Sequence, residues 1–242
     1  MLLENKNILI TGASRGIGLA VAERCLAEGA RVVANYKNTS SSVFSLVEKY
    51  GEDRVLASRA DISIASEVRG LVDGVRDAFQ QLDGIVCNAG IITRTPDWKN
   101  ISSEDWGRVI DTNLIGAWNV IRYGLELMEA GGSIVNISSI YGIAPEAKTL
   151  PYSVSKAAVI ALTQALAKEV APKVRINAIL PGNTLTSMVP EPSEQTAIEE
   201  RTLLKRSAAP TEIANAVVFL LSDSSSYMTG NIIPVDGGYQ CK

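Results

Sequence analysis

Thr11-Gly12-Ala13-Ser14-Arg15-Gly16-Ile17-Gly18 follows the short apolar run Asn7 to Thr11 and leads straight into a helical pattern, Gly16 to Glu28. A glycine-rich turn between a first strand and a first helix is the context that a dinucleotide-binding loop requires. Glycines at 12, 16 and 18 permit a tight turn and let backbone approach a pyrophosphate, whose charge then meets the unpaired amides of a helix N-terminus. Glycines in such a turn also serve structure alone, and their presence by itself decides nothing. Their place directly after the first strand selects the phosphate-binding reading.

Outward from this turn, apolar β-branched runs alternate with helical patterns along the chain. Strands are predicted at Asn7 to Thr11, Arg31 to Tyr36, Arg54 to Ser58, Gly84 to Cys87, Ser133 to Ser138, Arg175 to Leu180 and Asn231 to Val235. Helices are predicted near Gly16 to Glu28, Ser40 to Tyr50, Ala65 to Phe79, Ser103 to Glu129, Tyr152 to Ala171 and Thr211 to Ser222. Such alternation, with nearly continuous apolar strands, predicts a parallel sheet covered by helices on both faces. The 242 residues show no internal repeat, low-complexity tract or composition shift, so 1–242 reads as one α/β domain, doubly wound and Rossmann-type, with a seven-stranded parallel sheet. The irregular stretch Thr184 to Arg206 carries Pro190, Pro192, several charges and a weak helical pattern around Gln195 to Leu204. Ligands of an open α/β sheet bind beyond the carboxyl ends of its strands, where this stretch emerges, so 184–206 reads as a substrate lid. An ordinary surface loop is the alternative.

Charge and composition exclude whole classes of function. Lysine and arginine total 23 against 26 acidic residues, and a net charge of −3 supplies no general field for nucleic acid or an anionic membrane. Met1 to Lys6 enters the first strand without an apolar signal core, and no apolar run approaches the length of a span, so a soluble, cytoplasmic protein is expected. Cys25, Cys87 and Cys241 are odd in number and widely spaced, which suits reduced thiols better than a disulfide framework or a metal site. Histidine is absent, which removes the imidazole base, the Ser-His-Asp relay and most transition-metal sites together.

Tyr152 and Lys156 lie four positions apart on a predicted helix, on one face, with Cβ atoms roughly 5–6 Å apart. A nearby ammonium favours the phenolate of a tyrosine whose reference pKa is about 10, so Tyr152 can take the place of the missing imidazole. Ser139, just past the fifth predicted strand, is placed to hydrogen-bond a carbonyl oxygen beside that phenol. A Tyr-x-x-x-Lys pair alone is common and mostly marks a solvated helix face.

The wider pattern resembles the short-chain dehydrogenase/reductase family over the whole length. It comprises Thr11 to Gly18, Asp61, Asn88-Ala89-Gly90, Asn113 within Asp111-Thr112-Asn113, Ser139, Tyr152, Lys156, Pro181-Gly182 and Val235-Asp236-Gly237-Gly238. The resemblance implies that Tyr152 protonates a carbonyl oxygen that Ser139 positions. It implies further that Lys156 binds the nicotinamide ribose and lowers the Tyr152 pKa, and that Asn113 holds a water linking Lys156 to solvent. The implied cofactor contacts begin with Gly12, Ser14, Arg15, Gly16, Ile17 and Gly18 at the turn, with Tyr36 and Lys37 after the second strand. Asp61 and Ile62 fall near the adenine, and Asn88, Ala89 and Gly90 along the adenosine side. Pro181, Gly182, Thr184 and Thr186 fall near the carboxamide, and no metal is implied. Cys87 departs from the second asparagine common in the family, Asn183-Thr184 from the apolar residue that often follows Pro-Gly, and Ser207 to Pro210 from a turn that often holds glycine.

The resemblance also bears on cofactor, substrate and assembly. Members that use NAD(H) tend to place aspartate where this chain has Tyr36, and the following Lys37-Asn38-Thr39-Ser40 contains no acid. Arg15 resembles the basic residue of phosphate-binding members, and Lys37, Thr39 and Ser40 complete a cradle, so NADP(H) is expected over NAD(H). The substrate is expected to be a carbonyl compound or alcohol of the 3-oxoacyl type, with thioester linkage as one form. Glu129-Ala130-Gly131-Gly132 lacks the basic residue that often docks an acyl carrier protein before the fifth strand, leaving Lys173 and Arg175 as contacts. The alternatives are a dehydrogenase of sugars, polyols or other small secondary alcohols, and a non-catalytic dinucleotide-binding regulator, although such regulators usually lose the tyrosine or lysine retained here. A homo-oligomer, a tetramer by resemblance, is expected on the two helices spanning Ser103 to Glu129 and Tyr152 to Ala171. Their apolar residues, Trp106, Val109, Trp118, Val120, Ile121 and Val159 among them, exceed one stripe.

Overall fold

Seven parallel strands, Asn7–Ile10 (β1), Arg31–Tyr36 (β2), Val55–Arg59 (β3), Leu82–Cys87 (β4), Met128–Ile137 (β5), Val174–Pro181 (β6) and Ile232–Val235 (β7), lie in the order β3-β2-β1-β4-β5-β6-β7. They come from a computed structural model that describes residues 1–38, 41–188 and 192–241. From β1 the sheet grows outward one way to β3, and from β4 the other way to β7. The reversal between β1 and β4 opens a crevice at their carboxyl ends, and the 11–18 turn stands at its mouth.

Successive strand residues face opposite sides of the sheet, which divides the core in two. Ile8 and Ile10 of β1 join a layer with Val21 and Leu26 of the helix Gly16–Ala27 (α1), Val43 of Ser41–Tyr50 (α2), and Val217 and Leu221 of Pro210–Leu221 (α8). Leu9 points the other way, into a layer with Val72 of Ala65–Phe79 (α3), Val120 of Gly116–Gly124 (α5), and Ile85 and Ile134. Ser103–Ile110 (α4) and Leu150–Val170 (α6) also cover this face, and Pro192–Arg201 (α7) lies in the segment beyond β6. Among the described residues, no helix is long and apolar enough to cross a membrane.

The structure corrects the long helix expected over Ser103 to Glu129. That stretch is α4, a π-helical turn Asp111–Ile115, α5 and a short 3₁₀ turn Leu125–Leu127, and β5 begins at Met128. The π turn brings the Asn113 side chain inward, where it is buried at 2% exposure. Met128 pairs with Leu82, so Glu129 to Gly132 belong to the strand rather than to a loop before it. Val109, Val120, Ile121 and Val159 are buried within the single chain, whereas Ile115, Trp118 and Val154 remain exposed. The helix in the 184–206 segment spans Pro192–Arg201, three positions earlier than expected at both ends.

Arg175 has a structural role. Its half-buried guanidinium donates to Ser225 Oγ (3.0 Å), Met228 O (3.3 Å), Leu220 O (3.1 Å) and Ser222 O (3.2 Å), fastening β6 to the end of α8 and the turn after it. Lys173 is exposed. Arg175→Met removes four hydrogen bonds from this junction, although Leu220 O, Ser222 O and Met228 O keep other donors, and is expected to lower unfolding stability by about 1–3 kcal/mol, checked by urea denaturation.

Candidate active site

A cleft of about 1020 Å³ runs along the carboxyl ends of the central strands, from the glycine turn to the segment beyond β6. Gly12 and Gly16 have φ of +65° and +56°, which a side chain would strain. Gly12, Ser14, Arg15, Gly16 and Ile17 line the cleft. The N-terminus of α1 has no side-chain cap and no acid in its first turn, which leaves amides and positive dipole for an anion. Gly18 does not reach the cleft. It is buried under the turn, where a Cβ would sit 2.2 Å from the Gly12 carbonyl oxygen.

The turn is stitched to the end of β4. Asn88 Nδ2 donates to Thr11 O (2.9 Å) and Gly12 O (3.2 Å), while Thr11 Oγ1 accepts from the Asn88 and Ala89 amides at 3.0 and 3.1 Å. Asn88, Ala89 and Gly90 line the cleft beside this seam. At β2 the structure corrects the role expected for Tyr36, whose ring lies edge-on to Phe44 at 6.1 Å and does not line the cleft. Its buried neighbour Asn35 faces the turn instead, accepting from Gly12 N (3.4 Å) and donating to Ser58 O and Ala60 O.

Lys37 lines this end and forms an ion pair with Asp61 at 2.5 Å. Burial acts to raise the Asp61 carboxyl, but hydrogen bonds from Lys37 and Ser63 and the Lys37 charge outweigh it and hold the group below its ordinary range. Ile62, Asn38 and Ser41 complete the wall, the last two not foreseen. Thr39 and Ser40 lie outside the described residues.

At the other end Tyr152 and Lys156 line the cleft from α6. Lys156 is 4% exposed, and its Nζ donates to Ile137 O at 2.7 Å, 5.6 Å from the Tyr152 ring centroid. Burial presses its pKa down from 10.5 to about 8. Ser139, at the end of β5, accepts from Tyr141 N (3.2 Å) and hydrogen-bonds the Tyr152 phenol. The ammonium was expected to pull that phenol down. Burial instead dominates and raises it, opposed by the Ser139 hydrogen bond and the Arg94 charge, because the Lys156 ammonium is turned to a strand carbonyl. Asn113 stands behind the wall, accepting from Ile91 N (2.8 Å) and donating to Ile91 O (3.0 Å) and Ser155 Oγ (2.9 Å). Ser155 donates in turn to Tyr152 O at 2.7 Å. The asparagine thereby ties the β4 loop to α6 rather than reaching into the cleft.

Pro181, Gly182, Thr184 and Thr186 line the exit from β6. A Cβ on Gly182 would fall 2.7 Å from Asp236 Cα, and Thr184 Oγ1 donates to Gly182 O at 3.0 Å. The Thr186 methyl approaches Gly16 closely enough that a Cβ there would meet it at 3.1 Å. Cys87, at the end of β4, is buried, and that burial pushes its thiol up to about 12, so it is an inert packing group. Arg94, Lys148 and Arg201 also line the substrate end, and no motif spacing marks them in the sequence.

The family model described as enoyl-(acyl carrier protein) reductase matches residues 12–240. The 3-oxoacyl-[acyl-carrier-protein] reductases of Staphylococcus aureus and Thermotoga maritima are 36% and 38% identical to this chain, covering 96% and 98% of it and 97% and 99% of their own length. A Brucella melitensis structure described as a short-chain dehydrogenase/reductase of the glucose/ribitol dehydrogenase type superposes with a TM-score of 0.91 at 31% identity, covering 99% of this chain and 98% of its own. The chain belongs to the short-chain dehydrogenase/reductase family. Thermoplasma acidophilum aldohexose dehydrogenase is similar at 29% identity and a TM-score of 0.87, covering 99% of this chain and 96% of its own.

Short-chain dehydrogenases/reductases are oxidoreductases that use a nicotinamide dinucleotide. The residues present fit that group, since an uncapped helix N-terminus beside a glycine turn suits a pyrophosphate. The buried ammonium carries a stability cost with a definite pH window. Lys156→Met is expected to raise stability by about 1–3 kcal/mol at neutral pH, the relieved desolvation exceeding the lost hydrogen bond. The gain should shrink as pH climbs from about 8 to 10.5, where the folded parent has shed a proton that the unfolded chain still holds. Urea unfolding of parent and variant at both ends of that window checks this.

Proposed function

We propose that this chain is an NADP(H)-dependent reductase that converts a ketone of the 3-oxoacyl type to a secondary alcohol. The observation that carries the reading is the placing of the Tyr152 phenol, hydrogen-bonded to Ser139, and of Lys156 at one end of a cleft whose other end is the glycine turn. When bound, the nicotinamide supplies the hydride. Ser139 holds the carbonyl oxygen by a hydrogen bond, and Tyr152 gives it a proton as the carbon is reduced. Lys156, its ammonium held in place by Ile137 O, orients the ribose hydroxyls. The names of the two carrier-protein reductases support the 3-oxoacyl class. The names of the two sugar dehydrogenase structures favour a second reading, oxidation of a polyol or sugar at the same site.

The phosphorylated cofactor is favoured because the cleft wall after β2 offers Lys37, Asn38 and Ser41 without a carboxylate of its own, with Arg15 exposed opposite. Asp61 takes up part of the Lys37 charge, so Arg15 is the stronger of the two phosphate contacts. Residues 184–206 serve as the lid. Met188, Ala197 and Ile198 line the substrate end, and Arg94 reaches across to donate to Met188 O at 2.8 Å. Exposed Ile115, Trp118 and Val154 serve a homotetramer interface.

Initial rates with acetoacetyl thioesters, quinones, ketoses and polyols, each run with both cofactors, test the reading. Reduction of the oxo compounds with kcat/KM for NADPH at least about tenfold above NADH is expected, and Arg15→Ala should weaken NADPH far more than NADH and more than Lys37→Ala does. Equal use of both cofactors rejects the cofactor assignment, and turnover confined to polyols selects the second reading.

A further inference from the structure

Past Tyr152 the cleft carries charge that reduction of a neutral ketone does not require. Arg94, Lys148 and Arg201 line it from three different segments, and among the described residues Glu146 is the carboxylate at this end. The cations belong to one neighbourhood. Thr95 N donates to Lys148 O at 2.9 Å, which sets the Arg94 loop beside Lys148. Arg201 lies over the Tyr239 ring at 5.0 Å from its centroid, and Tyr239 lines the same wall as Tyr141. Arg94 lines the cleft together with Tyr141 and Tyr152, and its charge acts on both phenols. Among the described residues it has no carboxylate partner, and its hydrogen bond to Met188 O occupies one nitrogen of the guanidinium. The remaining N–H donors keep the planar fork that matches a carboxylate.

We propose that the substrate is an oxo acid bearing a free carboxylate a few bonds from the reacting carbonyl, and that Arg94 receives that carboxylate. This rests on the reading that Tyr152 protonates a carbonyl oxygen. Ile92, Met188 and Ile198 add apolar lining to the same cleft, which suits the short carbon skeleton joining a ketone to an acid. The phosphate of a carrier-linked thioester lies many bonds from its ketone and does not meet this geometry. A neutral sugar leaves the guanidinium with only neutral hydroxyl partners. Glu146 also lines this end and opposes an anion, and the proposal rests on Arg94 alone.

The test compares acetoacetate with its methyl ester, which share a ketone and differ in charge, using NADPH-saturated parent, Arg94→Met and Arg94→Lys. A parent kcat/KM for the acid at least about tenfold above the ester is expected, with Arg94→Met bringing the ratio to about one through KM for the acid and Arg94→Lys retaining part of it. Calorimetric titration of unreactive butyrate and butyramide into the enzyme with NADP+ gives an independent reading, and butyrate binding that depends on Arg94 is expected. Equal parent rates on acid and ester overturn the proposal. So does an equal loss on both in Arg94→Met, which assigns Arg94 to the Met188 tie alone. Butyrate binding lost in Arg94→Met without turnover of either ketone upholds the anion site and rejects the carbonyl chemistry. Ester reduction with no butyrate binding does the reverse.

Discussion

The buried hydrogen bond from Lys156 Nζ to Ile137 O joins the two halves of this site, and much of the local architecture exists to hold it. It fixes an ammonium at the carboxyl end of β5, one helical turn along α6 from the Tyr152 phenol. The reverse tie, Ser138 Oγ to Lys156 O at 2.8 Å, closes the strand end against the helix. Gly142 lets the following turn lie close, since a Cβ there would fall 2.9 Å from the Lys156 carbonyl carbon. An ammonium so enclosed is expensive, as its pKa of about 8 records, and protein interiors hold such charges where chemistry needs them.

The second constraint lies at the switch between β1 and β4. Thr11 and Asn88 exchange hydrogen bonds across the crevice, so the glycine turn cannot shift without dragging the β4 end with it. From that end the chain runs through Ile91, bound by Asn113, to Ser155 and the Tyr152 carbonyl. Hydrogen bonds and one short stretch of backbone therefore join the glycine turn to α6. On the proposed reading, this arrangement would set a dinucleotide at a fixed distance from Tyr152, with little left to be organised on binding.

Much of this was legible in the sequence, for identifiable reasons. Strand and helix alternation is a long-range signal repeated many times, and the 11–18 turn marks the crevice because a glycine turn after a first strand has few other uses. What was missed turns on single positions. Tyr36 and Asn35 are neighbours on one strand and face opposite sides, so a shift of one residue moves the cleft-facing side chain from one to the other. The π turn at Asp111–Ile115 leaves no mark in the apolar spacing, and Met128 continued the helical pattern although it pairs with Leu82. The Lys37 pair with Asp61 and the meeting of Arg94 and Tyr152 in one cleft join residues distant in sequence, and lone charges in loops carry no periodicity.

The central claim is that Tyr152 is the proton donor at a carbonyl. Single-turnover reduction by Tyr152→Phe, with NADPH affinity measured in the same preparation, tests it most directly. The account predicts a loss of roughly a thousandfold or more in the rate of reduction, with cofactor affinity within about threefold of the parent, because only the phenolic hydroxyl is removed. Reduction by the phenylalanine variant at a rate within a few-fold of the parent would contradict it.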